Sequence, residues 1–155
     1  MLKQIVSLIA VTLIIVGCST TARKHRADGP IPFRTVLSST YSLADTAAVY
    51  LIDNNAQWTK VWNMAMGRQD PFPNTPEMDF KRDMVLAIFM GHKNAAGYRN
   101  EIIDITQKGE KLMVVVKNHH SREGMVLPVV TSPFHIVTIP KGKYKLEVHY
   151  GQIDE

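Results

Sequence analysis

Seven consecutive apolar residues, Met84-Val85-Leu86-Ala87-Ile88-Phe89-Met90, run between Asp83 and Gly91, and no other stretch restricts the fold as tightly. An element with one wet face interrupts its apolar residues with polar ones, at period 2 in a strand or about 3.6 in a helix. This run does neither and is too short for an ordinary buried helix. It therefore reads as a central strand covered on both faces, and the rest of the chain must supply the two layers that cover it.

The neighbouring segments supply strands and one helix. Phe33 to Ser39 and Ala48 to Ile52 are strand-like pieces rich in β-branched and aromatic residues. Asp53-Asn54-Asn55 then offers capping side chains, Trp58, Val61, Trp62 and Ala65 recur at helical spacing, and Gly67 supplies a stop. Both tryptophans lie on that stripe and read as core anchors. Pro71, Pro73 and Pro76 exclude regular structure beyond it. Tyr98 to Thr106 and Lys111 to Asn118 flank Gln107-Lys108-Gly109-Glu110, the pattern of an antiparallel hairpin. Met125 to Thr131 and Phe134 to Ile139 read as two further extended pieces broken at Ser132-Pro133. After the turn Lys141-Gly142-Lys143, Tyr144, Leu146, Val148 and Tyr150 alternate with Lys145, Glu147 and His149, the period of a half-exposed strand. The expected class is α+β and mainly antiparallel β, a sandwich or partly closed barrel with one N-terminal amphipathic helix.

The first residues are of another kind. Lys3 precedes an apolar run from Ile5 to Val16 that is shorter than the roughly 20 residues a membrane span needs. The run ends in Ile15-Val16-Gly17-Cys18, which resembles a bacterial lipobox, followed by Ser19. The organisation expected is a signal peptide over 1–17, a lipidated cysteine and polar tether over 18–32, and one globular domain over 33–155. Cys18 is the sole cysteine, so no disulfide can form within the chain and the domain must hold by its core. Removing 17 of 155 residues leaves 138, enough for one such core. The cofactor expectation is none beyond the covalent diacylglycerol and acyl lipid on Cys18. Two or three chains, at about 0.8 kcal/mol per buried methylene, would make the attachment durable. The location implied is the cell envelope, at the outer membrane in a didermal cell.

Charge excludes little. Without Lys3 there are 17 Lys and Arg against 14 Asp and Glu, a net +3, and much of the excess is Arg23-Lys24-His25-Arg26 beside the lipid site. That stretch suits anionic headgroups, and nucleic acid is not an expected partner. Catalytic patterns are missing. There is no Gly-x-Ser-x-Gly elbow, no phosphate-cradling glycine loop and no His-Glu-x-x-His spacing. His119 and His120 are adjacent and would point to opposite faces of a strand, so no metal site is expected there. Glu77, Asp79 and Asp83 read as solvated charge around a proline-rich loop. The reading is a non-enzymatic domain. Its candidate partner-binding residues are Lys93, Asn94, Ala95, Ala96, Gly97 and Tyr98, where small residues permit close backbone approach and a tyrosine gives rigid contact area. Ser132, Pro133 and Phe134 form a second candidate turn.

From about Trp58 to Ile139 the chain resembles the protease-complex subunit PrcB family. The likeness rests on Met78-Asp79-Phe80 leading into Met84-Val85-Leu86-Ala87, on the loop from Gly91 to Tyr98, and on Thr131-Ser132-Pro133-Phe134-His135-Ile136-Val137 running into Ile139-Pro140. Where that family usually reads Pro-Thr-Gly-Gly-Tyr, this chain has Lys93-Asn94-Ala95-Ala96-Gly97-Tyr98. The resemblance implies an envelope lipoprotein that binds another envelope protein as an accessory or stabilising subunit of a protease complex. A weaker likeness, Asn94-Ala95-Ala96-Gly97-Tyr98 to the inhibitory loop of chagasin-type proteins, implies a protease inhibitor instead. A structural envelope lipoprotein is the third possibility.

Overall fold

The structure is a computed structural model that describes residues 28–120 and 128–154. The signal segment, Cys18 and most of the expected tether lie outside the described residues. In chain order the elements are β1 (Gly29–Pro30), β2 (Arg34–Ser39), β3 (Ala47–Ile52), α1 (Asn55–Met66), β4 (Asp83–Met90), β5 (Tyr98–Lys108), β6 (Lys111–His120), β7 (Phe134–Pro140) and β8 (Lys145–Asp154). Two four-stranded sheets result, one in the order β1-β5-β6-β8 and the other β2-β7-β4-β3. They face each other as a sandwich. No strand of one pairs with a strand of the other, so the barrel alternative is excluded among the described residues.

The apolar run of β4 is explained by three layers. Met84, Leu86 and Ile88 point into the core shared with the first sheet, beside Ile102, Ile105, Leu112, Val114 and Val116. Val85, Ala87 and Phe89 point the other way, into a second core closed by Trp58, Val61, Trp62 and Ala65 of α1. Strand β7 divides likewise, with Val137 and Ile139 in the first core and Phe134 and Ile136 in the second. The helix starts where the Asn54 side chain accepts from the Gln57 amide at 3.0 Å. It ends at Gly67 for a reason other than backbone conformation. Gly67 has φ −65°, and a Cβ there would come within 2.2 Å of Leu43 Cδ1, so the glycine makes room for the leucine.

Three expectations are corrected, and β8 finds a partner that its pattern left open. Gly29–Pro30 pairs with Thr106 and Gln107, and Ile31 is buried with its amide on Ile105 O at 2.7 Å, so the folded domain begins before Phe33. Residues 128–131 are not a strand, since the pairing there is an isolated bridge between Lys93 and Thr131; residues 121–127 lie outside the described residues. Strand β8 pairs parallel with β6 in register from Lys111↔Lys145 to His120↔Asp154. The turn after β7 leads across to the other sheet, where Leu146 and Val148 cover the first core. The turn of the β5–β6 hairpin is Gly109-Glu110, shorter than the four residues expected, with Gly109 at φ +59°.

Strand β5 carries a bulge between Ile102 and Asp104, which leaves Ile103 unpaired with β6 and exposed. Across the sandwich, His135 of β7 accepts from the Ile102 amide at Nδ1 (2.9 Å), and its Nε2 meets Thr35 Oγ1 at 2.9 Å. An imidazole that accepts at Nδ1 is neutral and carries its proton on Nε2. Burial lowers the pKa of His135 against a smaller opposing influence from Glu101.

Candidate functional site

Loop 91–97 connects the two sheets, and its course is set at its first residue. Gly91 has φ +68°, and a Cβ there would lie 2.6 Å from the Thr46 carbonyl carbon. We expect Gly91→Ala to cost about 1–3 kcal/mol from the left-handed backbone alone, with the backbone clash adding to it. A denaturant titration against the parent protein checks this.

Beyond Gly91 the loop is tied to its neighbours. The His92 amide donates to Asp45 O at 3.1 Å, and His92 Nε2 lies 3.1 Å from Asp45 Oδ1. Lys93 and Thr131 exchange backbone bonds of 2.8 and 2.9 Å, and Thr131 Oγ1 donates to Ala95 O at 3.0 Å. The structure thus brings together the two segments singled out in the sequence, the stretch 93–98 and the turn 132–134. Asn94 and Gly97 are exposed, while Lys93, Ala95, Ala96 and Tyr98 are half-buried. The Tyr98 ring stacks on His120 at 4.1 Å and 13°, with Lys93 Nζ 5.8 Å from its centroid. Gly97 has φ +88°, so replacing it disturbs the backbone as well as the surface.

Ser132, Pro133 and Phe134 do not form an exposed contact. All three are buried. Ser132 donates from Oγ to Ala44 O at 2.6 Å and from its amide to Thr40 O at 2.9 Å, while Ser42 Oγ donates to Ser132 O at 2.9 Å. Pro133 O accepts from the Met90 amide, and Phe134 stacks on Phe89 with centroids 5.6 Å apart. A turn that spends its polar groups inward braces a surface and does not offer one.

The surface it braces includes residues that sequence reasoning passed over. Segment 40–46 is stitched to Ser132 by the bonds above, and it exposes Tyr41 (43 %) and Leu43 (49 %); Val130, next to the bridged Thr131, is 46 % exposed. Three large apolar side chains thus stand on segments hydrogen-bonded to one another at the loop end of the sandwich. Single apolar residues in polar loops carry no period, so no pattern could have found them.

The other expected groups fall elsewhere. Glu77, Asp79 and Asp83 border an open groove of about 320 Å³ with Arg34 and Thr138, at the end of β4 away from the loop. Asp79 there accepts from the Lys81 amide at Oδ1 and from the Arg82 and Asp83 amides at its carbonyl, which explains it as a turn former. His119 lies 3.6 Å from Glu101. Among the described residues no group of three or more His, Cys, Asp or Glu could hold a metal ion.

Fold and loop end together define a β-sandwich domain backed by one helix, with a braced apolar surface where the sheets are joined. Residues 84–140 match the family model PrcB C-terminal, a match that runs from β4 through β7 and includes both candidate segments. The match agrees with the PrcB resemblance read from the sequence. Of the stretch from Trp58 to Ile139 that carries the resemblance, the matched residues begin at Met84, with α1 and Met78-Asp79-Phe80 before them. No curated protein and no solved structure gives a significant match.

Proposed function

We propose that this protein is a lipid-anchored envelope subunit that docks on a protease complex through the loop end of its sandwich. The observation that carries the reading is that exposed Tyr41, Leu43 and Val130 stand on segments hydrogen-bonded to one another through Ser132 and the Lys93–Thr131 bridge, Val130 within the family-matched residues. Large exposed apolar side chains on braced segments have the character of a protein contact. Cys18 supplies the anchor and the basic stretch after it holds to the headgroups.

Affinity capture of the tagged full protein from its own envelope tests the docking surface. A Tyr41→Ser/Val130→Ser double variant replaces exposed side chains and should leave stability within about 0.5 kcal/mol per site. The parent protein is expected to recover a protease that the variant loses; equal recovery by both would overturn the surface. Adding purified protein to the recovered protease then separates a stabilising subunit, which prolongs activity, from an inhibitor, which lowers it. For the anchor, Cys18→Ser is expected to move the protein from the membrane to the soluble fraction. Retention in the membrane would contradict lipidation at that residue.

A further inference from the structure

Strand β8 ends its sheet, and among the described residues nothing pairs with its outer edge. Among the described residues it is the longest edge strand, at ten residues against two for β1 and six each for β2 and β3. It has no proline, and its register with β6 is unbroken from end to end, whereas β2 carries an irregularity. Long regular edges are templates for another strand, and natural proteins ordinarily blunt them with charges, prolines, bulges or short lengths; of these devices β8 has only charges, Lys145 and Glu147 among them. The inner side of this edge is also incompletely covered: Leu146 and Val148 are only partly buried against the first core, and Tyr150 is 54 % exposed.

The sequence of the strand selects its occupant. An antiparallel pairing with an identical strand places residue 148−n opposite residue 148+n when the two-fold axis passes through Val148. On the outer face Glu147, which bridges Lys111 at 3.0 Å and its own chain's His149 at 3.2 Å, then stands opposite the second copy's His149, so that the axis joins the two rows of ion pairs with an acceptor against a donor. On the inner face Leu146 stands opposite the second copy's Tyr150, an apolar and an aromatic side chain of the kind that stabilises cross-strand neighbours. Moving the axis by one residue spoils this. Centred on Glu147, two carboxylates meet and Lys145 faces His149; centred on His149, the histidines meet and Glu147 faces Gly151. We infer that β8 pairs antiparallel with β8 of a second copy about Val148, joining the two β1-β5-β6-β8 sheets into one eight-stranded sheet. The contact is isologous, as two-fold interfaces are, and main-chain bonds along the strand supply much of its affinity. This inference does not depend on the docking surface proposed above, which lies at the loop end.

The test uses the full chain in detergent, with Glu147→Cys and His149→Cys proteins purified separately. The parent protein, whose one cysteine is Cys18, sets the background. Mixed, the two variants are expected to form an intermolecular disulfide faster than either alone, because residues 147 and 149 are opposite one another across the axis. Sedimentation equilibrium should show a dimer for the parent protein, about tenfold weaker for Glu147→Lys and recovered in Glu147→Lys/His149→Glu. If a substituted protein fails to fold, as judged by its circular dichroism melt, the cysteine pair still decides. A monomer at every concentration, or disulfides no faster in the mixture, would overturn the inference.

Discussion

Trp58→Ala is expected to destabilise the domain by about 3–5 kcal/mol, lowering Tm by roughly 10–20 °C. Trp58 is 1 % exposed and packs its indole against Trp62 at 5.3 Å, above the β4 and β7 side chains Val85, Ala87, Phe89, Phe134 and Ile136. Alanine leaves a cavity that the rigid strand layer beneath cannot close, and dispersion contacts on both sides of the gap are lost. A second loss comes with it. Trp58 Nε1 donates to Pro76 O at 2.8 Å and Trp62 Nε1 to Pro73 O at 3.1 Å, so the two indoles hold the proline-rich segment over the helix. Trp58→Phe keeps most of the ring and removes only the donor, and should cost less than half as much. Urea titrations of the three proteins check the order; equal costs for alanine and phenylalanine would show that the hydrogen bond, not the volume, dominates.

His135→Leu is the second large effect, at about 1–3 kcal/mol near neutral pH. Leucine fills the site, but it leaves the buried Ile102 amide without a partner, a loss of about 1–3 kcal/mol, whereas the hydroxyl of exposed Thr35 can turn to water. The bulge is the reason the amide has no other acceptor, since it falls where β5 shifts register against β6. The effect should depend on pH with a definite sign. Burial holds the His135 pKa below the ordinary histidine value, so the folded protein resists a proton that the unfolded chain accepts at about pH 6.5. Stability from this residue is therefore complete above that pH and declines as pH falls from there toward the folded-state pKa. The gap between parent protein and His135→Leu should narrow over that range. A gap constant from pH 7.5 downward would mean that His135 is not held neutral.

Legibility of this chain from sequence follows from how each segment meets its neighbours. Met84 to Met90 was readable because both faces are covered, which erases the alternation that one wet face imposes. The helix was readable because its buried stripe is Trp58, Val61, Trp62 and Ala65 and nothing else. For β8 the alternation gave the strand but not its partner, since a period-2 pattern looks the same beside a parallel or an antiparallel neighbour. Gly29-Pro30 reads as a breaker, yet its two residues pair with the edge of β5 and set Ile31 into the core, a long-range contact that local propensity does not encode. The candidate site divides the same way. Loop 93–98 announces itself through its small residues and tyrosine. Ser132 and Phe134 read as a surface turn because their inward partners, Ser42, Ala44 and Phe89, are distant in sequence.

Whether the loop end of the sandwich meets a protease complex in the envelope is tested most directly by site-specific photo-crosslinking in living cells, with the reactive side chain placed at Asn94 or Val130 and, as a control, at Asp53 beside the opposite end of α1. Crosslinks from Asn94 and Val130 to a single protease-complex component, with none from Asp53, are the expected result. Crosslinks from Asp53 alone, or none from either loop-end position while the protein stays folded at the membrane, would contradict the claim.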